Sequence, residues 1–408
     1  MDLAHYDIPL VYEGDEGYIP VQTFSDLIFS QIAGTLAYNG VDLFLANSTF
    51  TPVRTLYYAP GVRERSASLC TFTYDELCLS LDFFYGLKSE HGITSFDTYF
   101  TANGYKTPLL SKDGAVADSA LSEFINMYFE DFHSAFRADS SYAGEEKAKG
   151  GSGTDYSSQL SSMKRFSGAR FLGLGTDNPN VYQEIGNTAF VTFDEFTALS
   201  GDYYAKAPTE NMTVHDASLN STDTFAIIEY AHSQIMKTGS TIKNVVLDLS
   251  CNDGGALDAL AYVAGWLQNY DVLDVRSSIN GGRAENYYAV DVNLDKVFDS
   301  EDTISSKRIY CIVSPASFSC GNYLPSMLKI RQKATLLGWT SSGGGCMVKP
   351  LSTADGALFQ ISGNLVMDVA KNGSFLDIDR GSEPDYRITD PKAFYDRSAI
   401  AQAIDDGV

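Results

Sequence analysis

Positive charge is scarce in this chain of 408 residues: 29 Lys and Arg stand against 52 Asp and Glu, for a formal net charge of −23. A surface of that sign repels phosphate backbones and anionic lipid, which argues against nucleic-acid binding and membrane docking. Long apolar runs are missing too, and none approaches the roughly 20 residues of a membrane span. The opening stretch MDLAHYDIPLVYEGDEGY is acidic and lacks the apolar core of a secretory leader. Cysteine is sparse. The six residues Cys70, Cys78, Cys251, Cys311, Cys320 and Cys346 contain no C-x-x-C pair, so zinc-ribbon and redox-motif readings fail. Six in this length do not demand a disulfide framework. Mostly free, buried thiols are expected, with Cys70 and Cys78 able to bridge only in an oxidising compartment. Neither G-x-x-x-x-G-K-[ST] nor G-x-S-x-G occurs, which removes the phosphate-binding loop and the α/β-hydrolase elbow. Histidine is limited to His5, His91, His133, His215 and His232. No internal repeat of solenoid type is visible.

The length suits two or three domains. Residues 1–110 read as a mixed, mostly β region, with strand-like runs such as GYIPVQTF and VDLFLANSTFTPVRTLYYAPG. Residues 111–180 follow as a helical segment and a loop. Leu121, Phe124, Ile125 and Tyr128 recur at helical spacing, Asp118 or Ser119 can cap the helix, and His133 sits at its end. The stretch RADSSYAGEEKAKGGSGTDYSSQLSS is rich in Gly, Ser and Ala and predicts a mobile loop. From residue 181 to 408, strands and helices alternate: NTAFVTFDEF, STDTFAIIEYAHSQIMKTG, KNVVLDLS, ALDALAYVAGWLQNY, RIYCIVS, FSCGNYLPSMLKI and ATLLGW. That alternation predicts an α/β core with right-handed crossovers and a largely parallel sheet.

Ligands of such sheets sit at the carboxyl ends of the strands, and two junctions there are unusual. In LDLSCNDGGALDAL, Asp253-Gly254-Gly255 lies where a helix begins. Backbone N–H groups there can hold an oxyanion, or the glycines can serve only a tight turn. In RIYCIVSPASFSCGNYLPSMLK, Ser319 falls at the first turn of a helix. A serine there is ordinarily a cap. The same place favours developing negative charge, and the Cys320 amide could donate to it. A nucleophilic serine needs a base. His232 lies inside an amphipathic helix, and His5, His91 and His215 read as surface residues. His133, in FEDFHSAF, reads from its position as a partner of the helix dipole.

In order along the chain, these segments resemble the tail-specific or C-terminal processing serine peptidases. NVVLDLSCNDGG resembles their D-L-R-x-N-x-G-G segment, VSPASFSCGNYLPSMLK the nucleophile segment, LLGWTSSGGG the G-x-x-T-x-G turn, and RGSEPDYRI the late G-x-x-P-D. The turn that carries a catalytic lysine in the Ser–Lys branch reads TSSGGG here, with Gly344 at the lysine position; Lys349 is displaced and Lys329 belongs to the helix. The resemblance is therefore to the tricorn-core-like branch, which takes its base from an upstream D-x-H-[ST]. EDFHS matches that pattern and makes His133 the candidate base. Asn322 stands where many members carry Glu in S-x-x-E, which puts a local helix contact in question. Ser317 and Ser314 are the rivals of Ser319.

The resemblance implies a crotonase-like, ββα-type core with an N-terminal α+β region and a serine peptidase cleaving proteins or peptides. Ser319 is the nucleophile, His133 the base, and Asp379 the orienting acid with Asp377 in reserve. The oxyanion donors are Cys320 with Gly254 or Gly255. It implies no metal and no organic cofactor. Residues 134–180 are too few and too Gly/Ser-rich for a PDZ domain. The alternative is a catalytically inactive binding protein of the same fold for peptides or apolar ligands. Export to the cell envelope or beyond is expected, with the leader outside this sequence and the cytoplasm left open; oligomeric state is unassigned. Four N-x-[ST] matches, at Asn47, Asn211, Asn220 and Asn372, carry meaning only in a glycosylating host.

Overall fold

The computed structural model describes all residues except 32–33, 47–52, 146–153, 177–178, 198–203, 205–222, 269–270, 372–373 and 377. Asp377, His215 and the four N-x-[ST] asparagines lie outside the described residues. The chain divides into two compact units. The first comprises Met1–Ser157, Ser277–Gly282 and Cys346–Val366, and the second Ser158–Arg276, Arg283–Gly345 and Met367–Val408.

In the first unit, the helices Ala67–Phe84 and Gly114–Tyr128 pack around Tyr85, Phe96, Phe100, Phe124 and Phe129, all buried. Tyr85 and Phe129 stack with ring centroids 4.0 Å apart. Ser66 caps the first of these helices, its Oγ accepting from the Leu69 N–H at 3.1 Å. The second is capped by Asp113, one turn before the expected Asp118 or Ser119. Asp118 is buried inside the helix, where it accepts from the Ser140 N–H at 2.7 Å. The helix stops at Tyr128, so His133 lies beyond it, in a turn leading to the strand Ala135–Ala138. That strand pairs antiparallel with the start of Leu358–Lys371, which pairs on its other edge with Cys346–Ser352.

The strand-like reading of GYIPVQTF holds only for Glu16–Tyr18, because Val21–Leu27 is a helix. Its buried face is polar, with Gln22, Thr23, Ser25 and Asp26, while Val21 and Phe24 are exposed. The helical period therefore carries no hydrophobic signal.

The second unit is built on a six-stranded sheet. Its order is Tyr386–Arg387, Ala334–Gly338, Arg308–Val313, Asn244–Asp248, Thr188–Thr192 and Tyr182–Ile185. The first five are parallel and the last is antiparallel to its neighbour. Thr188–Thr192 and Asn244–Asp248 are buried along their whole length, as a sheet covered on both faces requires. The helices Thr224–Met236, Leu257–Gln268 and Cys320–Ile330 lie between successive strands in the chain. The expected alternation of strand and helix is what the chain adopts. The end of the Gly/Ser-rich stretch departs from the loop reading, since Thr154–Leu174 is a helix. In the second unit Phe166 and Ala169 anchor it in a core with Phe190, Phe394 and Tyr395. Burial of those few residues overrides the weak local pattern.

Candidate active site

The strand Arg308–Val313 ends in a turn that consumes two of its three serines. Ser314 Oγ donates to the Ser250 carbonyl at 2.5 Å and accepts from the Ala316 N–H at 2.9 Å. Ser317 Oγ donates to the Leu249 carbonyl at 2.6 Å and accepts from the Ser314 N–H at 2.9 Å. Both are fully buried, so they lock the turn to the neighbouring strand end and leave no lone hydroxyl for chemistry. Ser319 differs. It precedes the helix Cys320–Ile330 with φ 52° and ψ −123° and makes no side-chain capping bond. The capping role is therefore not the one it plays. It is partly exposed, and its N–H donates to the Gly343 carbonyl at 2.9 Å. A serine at positive φ is held against a penalty of about 1–3 kcal/mol, and such strain concentrates at functional positions. The strand–strained serine–helix order is the geometry of a nucleophile elbow, reached without its glycine motif.

The loop Asn252–Gly255 packs against this turn. The Phe318 N–H donates to the Asn252 carbonyl at 3.0 Å, and Asn252 Nδ2 donates to the Phe193 carbonyl at 3.0 Å. Gly254 has φ +112°, and a Cβ on it would stand 2.6 Å from Ser319 Cβ and 3.1 Å from Ser319 Oγ. Only glycine permits that approach. The Gly254 N–H itself donates to Asn252 Oδ1 at 3.0 Å, so it is committed and does not serve as an oxyanion donor in this arrangement. The N–H groups of Gly255 and Cys320 have no acceptor among the described residues. Asn252, which organises both segments, carried no sequence signal beyond its place in the Gly-Gly motif.

Asp379 reaches the same region through the loop 341–345. Its Oδ1 accepts from the Gly345 N–H at 2.7 Å, and that loop holds Ser319 through Gly343. Asn322 is fully buried and bridges the two: Nδ2 donates to the Ile378 carbonyl at 3.0 Å, and Oδ1 accepts from Ser341 Oγ at 2.7 Å. The amide thus makes a neutral clamp at the position where the sequence pattern left a contact in question. Gly344 has φ +86°, and a Cβ there would overlap the Phe318 ring. No lysine fits without displacing Phe318. Ser319, Cys320, Gly254, Gly255 and Asp379 are thus assembled within the second unit.

His133 belongs to the first unit. Its ring is buried and lies within a turn organised by Asp131. The Asp131 carboxylate accepts from the backbone N–H groups of His133 at 3.0 Å and Ser134 at 2.6 Å. It also accepts from Ser134 Oγ at 2.8 Å, Tyr85 OH at 3.1 Å and Ser362 Oγ at 2.8 Å. The His133 carbonyl accepts from Gln360 Nε2 at 2.6 Å. Burial pushes the imidazole below its ordinary pKa, opposed by the negative charge of Asp131 and a hydrogen bond to the Cys346 backbone. Burial thus favours the neutral imidazole, the form that a general base uses. Lys349 lies in the core of this same unit, with Nζ 2.6 Å from Ser30 Oγ. Cys70, Cys78, Cys251, Cys311 and Cys320 are free thiols, all buried but Cys251. Among the described residues, no cluster of His, Cys, Asp or Glu could hold a metal, and no helix is long and apolar enough to cross a membrane.

No curated protein matches the sequence. Among solved structures, the chain is similar to a candidate peptidase from Parabacteroides merdae at 14% identity and TM-score 0.54, covering 82% of this chain and 96% of that one. It is also similar to a lipoprotein from Streptococcus agalactiae at 12% identity and TM-score 0.50, covering 85% and 99%. At these identities the likeness is one of fold. Residues 218–388, which hold the Gly-Gly loop, the Ser319 turn and Asp379, match the model of Peptidase family S41. That segment is where the chain is similar to peptidase family S41.

Proposed function

We propose that the protein hydrolyses peptide bonds in proteins or peptides, as a C-terminal processing peptidase of the tricorn-core-like type. The core would be of the crotonase kind, with Ser319 as nucleophile, His133 as base and Asp379 as the acid that orients the imidazole. The observation that carries this reading is the backbone of Ser319, at positive φ with no capping bond at the head of a helix.

In the first step Ser319 Oγ bonds to the scissile carbonyl carbon and its proton passes to His133. Charge builds on the carbonyl oxygen, to which the N–H groups of Cys320 and Gly255 donate. As the C–N bond breaks, His133 returns the proton to the leaving amine. Water then attacks the acyl-ester, giving its proton to His133, and Ser319 leaves with that proton restored. A carboxylate at the imidazole stabilises the cation formed in each step. A developing negative charge also benefits from the positive end of the helix Cys320–Ile330.

The test is hydrolysis of an unfolded protein substrate by wild type, Ser319→Ala and His133→Ala. Each variant is expected to lose about 10⁴-fold or more in kcat while keeping the wild-type fold. A folded wild type that cleaves nothing points instead to a binding protein of the same fold.

A further inference from the structure

The turn Asp131–Ser134 has a feature that the assigned roles of Ser319, His133 and Asp379 leave unused. Five donors converge on one carboxylate: two backbone N–H groups of the turn, the hydroxyls of Ser134 and Ser362, and the phenol of Tyr85. These donors come from three elements, namely the turn itself, the end of the helix Ala67–Phe84 and the strand starting at Leu358. Ser134 Oγ in addition accepts from the Ser362 N–H at 3.0 Å. Gln360, two residues before Ser362 on the same strand, grips the His133 carbonyl.

We propose that Asp131 is a positioning residue for His133, a carboxylate pin that fastens the base-bearing turn to the helix end and to the strand. The inference rests on His133 being the base of the proposed reaction. A turn of four residues has no helical or strand ladder to fix it, so the carboxylate supplies what secondary structure does not. The spacing D-x-H-S follows from this geometry. An acid two residues before the histidine reaches the N–H groups of both residues that follow, and the Ser hydroxyl closes the second carboxylate oxygen.

The pin also acts on the ring electrostatically. Among the described residues, Asp131 on its own turn, Cys346 from the strand Cys346–Ser352 and the neutral Gln360 from the strand at Leu358 act on His133, and Tyr85 from the helix end and Ser362 act on Asp131. Glu130 is exposed. Of these, the Asp131 charge raises the imidazole pKa against burial. Removing it lowers that pKa further, and with it the basicity of the ring.

Asp131→Asn is the sharp variant, because an amide oxygen can still accept from the two backbone N–H groups while the charge is lost. The readouts are the ¹³Cε1 titration of His133, identified by its absence in His133→Ala, and the pH profile of kcat/KM. The expected result is a His133 titration moved to lower pH, an acidic limb of the rate profile moved the same way, and kcat down on the order of 10²-fold. A His133 titration and a pH profile both unchanged would overturn the proposal. Should Asp131→Asn fail to fold, the double variant Tyr85→Phe, Ser362→Ala keeps the charge and removes two pins. It is expected to lower kcat with KM and the His133 titration unchanged, and wild-type kcat in that variant would overturn the positioning role. Failure of the underlying reading looks different. There, wild type itself shows no hydrolysis and no labelling of Ser319, whatever happens at residue 131.

Discussion

Around Ser319 the second unit works mainly with backbone groups and neutral side chains, Asp379 being the charged exception, whereas the core of the first unit buries a cluster of ionisable ones. The turn at Ser319 is fixed by hydroxyls of Ser314 and Ser317, amides of Asn252 and Asn322, and carbonyls of Gly343 and Leu249. The first unit buries Asp26, Glu76, His133 and Lys349. Asp26 accepts from Gln22 Nε2 and Ser80 Oγ, each at 2.8 Å. The contrast separates two tasks. Clamps that are neutral except for the Asp379 carboxylate on Gly345 hold Ser319 in a strained geometry. Buried ionisable groups make the first unit responsive to pH, at His133 and in its stability.

The largest break of this comparison comes from Gly254→Ala. Its Cβ would push on Ser319 Cβ, and its φ of +112° is one an alanine tolerates poorly. The expected loss in kcat is about 10²–10³-fold, the size of removing an oxyanion donor, with KM little changed. Steady-state kinetics on the folded variant checks it. Wild-type kcat would mean that the close approach is incidental.

A second break concerns the pH dependence of the first unit. Burial pushes Asp26 up to about 7, against the Ser80 hydrogen bond and the Lys349 charge; burial also drives Glu76 well above its ordinary value. Burial lowers Lys349 to about 8, against the Asp26 charge. A raised acid contributes stability that is full below its unfolded pKa and is lost as pH rises through the folded value. A lowered lysine contributes stability that is full above its unfolded pKa and is lost as pH falls through about 8. These groups therefore contribute least between about pH 7 and 8. Urea denaturation of wild type and Lys349→Met across pH 6–10 is the measurement. Wild type is expected to gain stability relative to the variant as pH rises above about 8. A constant difference would show that Lys349 titrates as an exposed lysine does.

The smallest effect is expected from Ser317→Ala. It strands the Ser314 N–H and takes one of two donors from the Leu249 carbonyl, which keeps the Asn252 N–H, at a cost of about 1–3 kcal/mol in stability. Ser319 should still react with a serine-directed probe. Loss of labelling in a folded Ser317→Ala protein would reopen the choice between the two serines.

The same contrast explains what was legible in the sequence. The strands Thr188–Thr192, Asn244–Asp248 and Arg308–Val313 and their crossovers stood out because apolar runs and helical periods alternate there. Gly254 and Ser319 stood out because a glycine pair and a serine fall at strand-to-helix junctions. What distinguishes Ser319 from Ser314 and Ser317 is its backbone angle and the absence of a cap bond, neither of which a residue name encodes. The glycine pair offers Gly254 or Gly255 as a donor; Asn252 Oδ1 takes the Gly254 N–H, and Gly254 enters through its missing Cβ. In the first unit the signals are weaker for a physical reason. The helix Val21–Leu27 buries its polar face, and the cap at Asp113 is one of several acids and serines that could serve. His133 was singled out only by its D-x-H-S surroundings, whose meaning lies in the hydrogen bonds of Asp131.

The central claim is that Ser319 is a nucleophile made reactive by His133. A fluorophosphonate probe followed by peptide mapping tests it most directly. The account predicts a single adduct on Ser319 in wild type, and none in Ser319→Ala or in folded His133→Ala. An unlabelled, folded wild type, or an adduct that survives in His133→Ala at the wild-type rate, would contradict it.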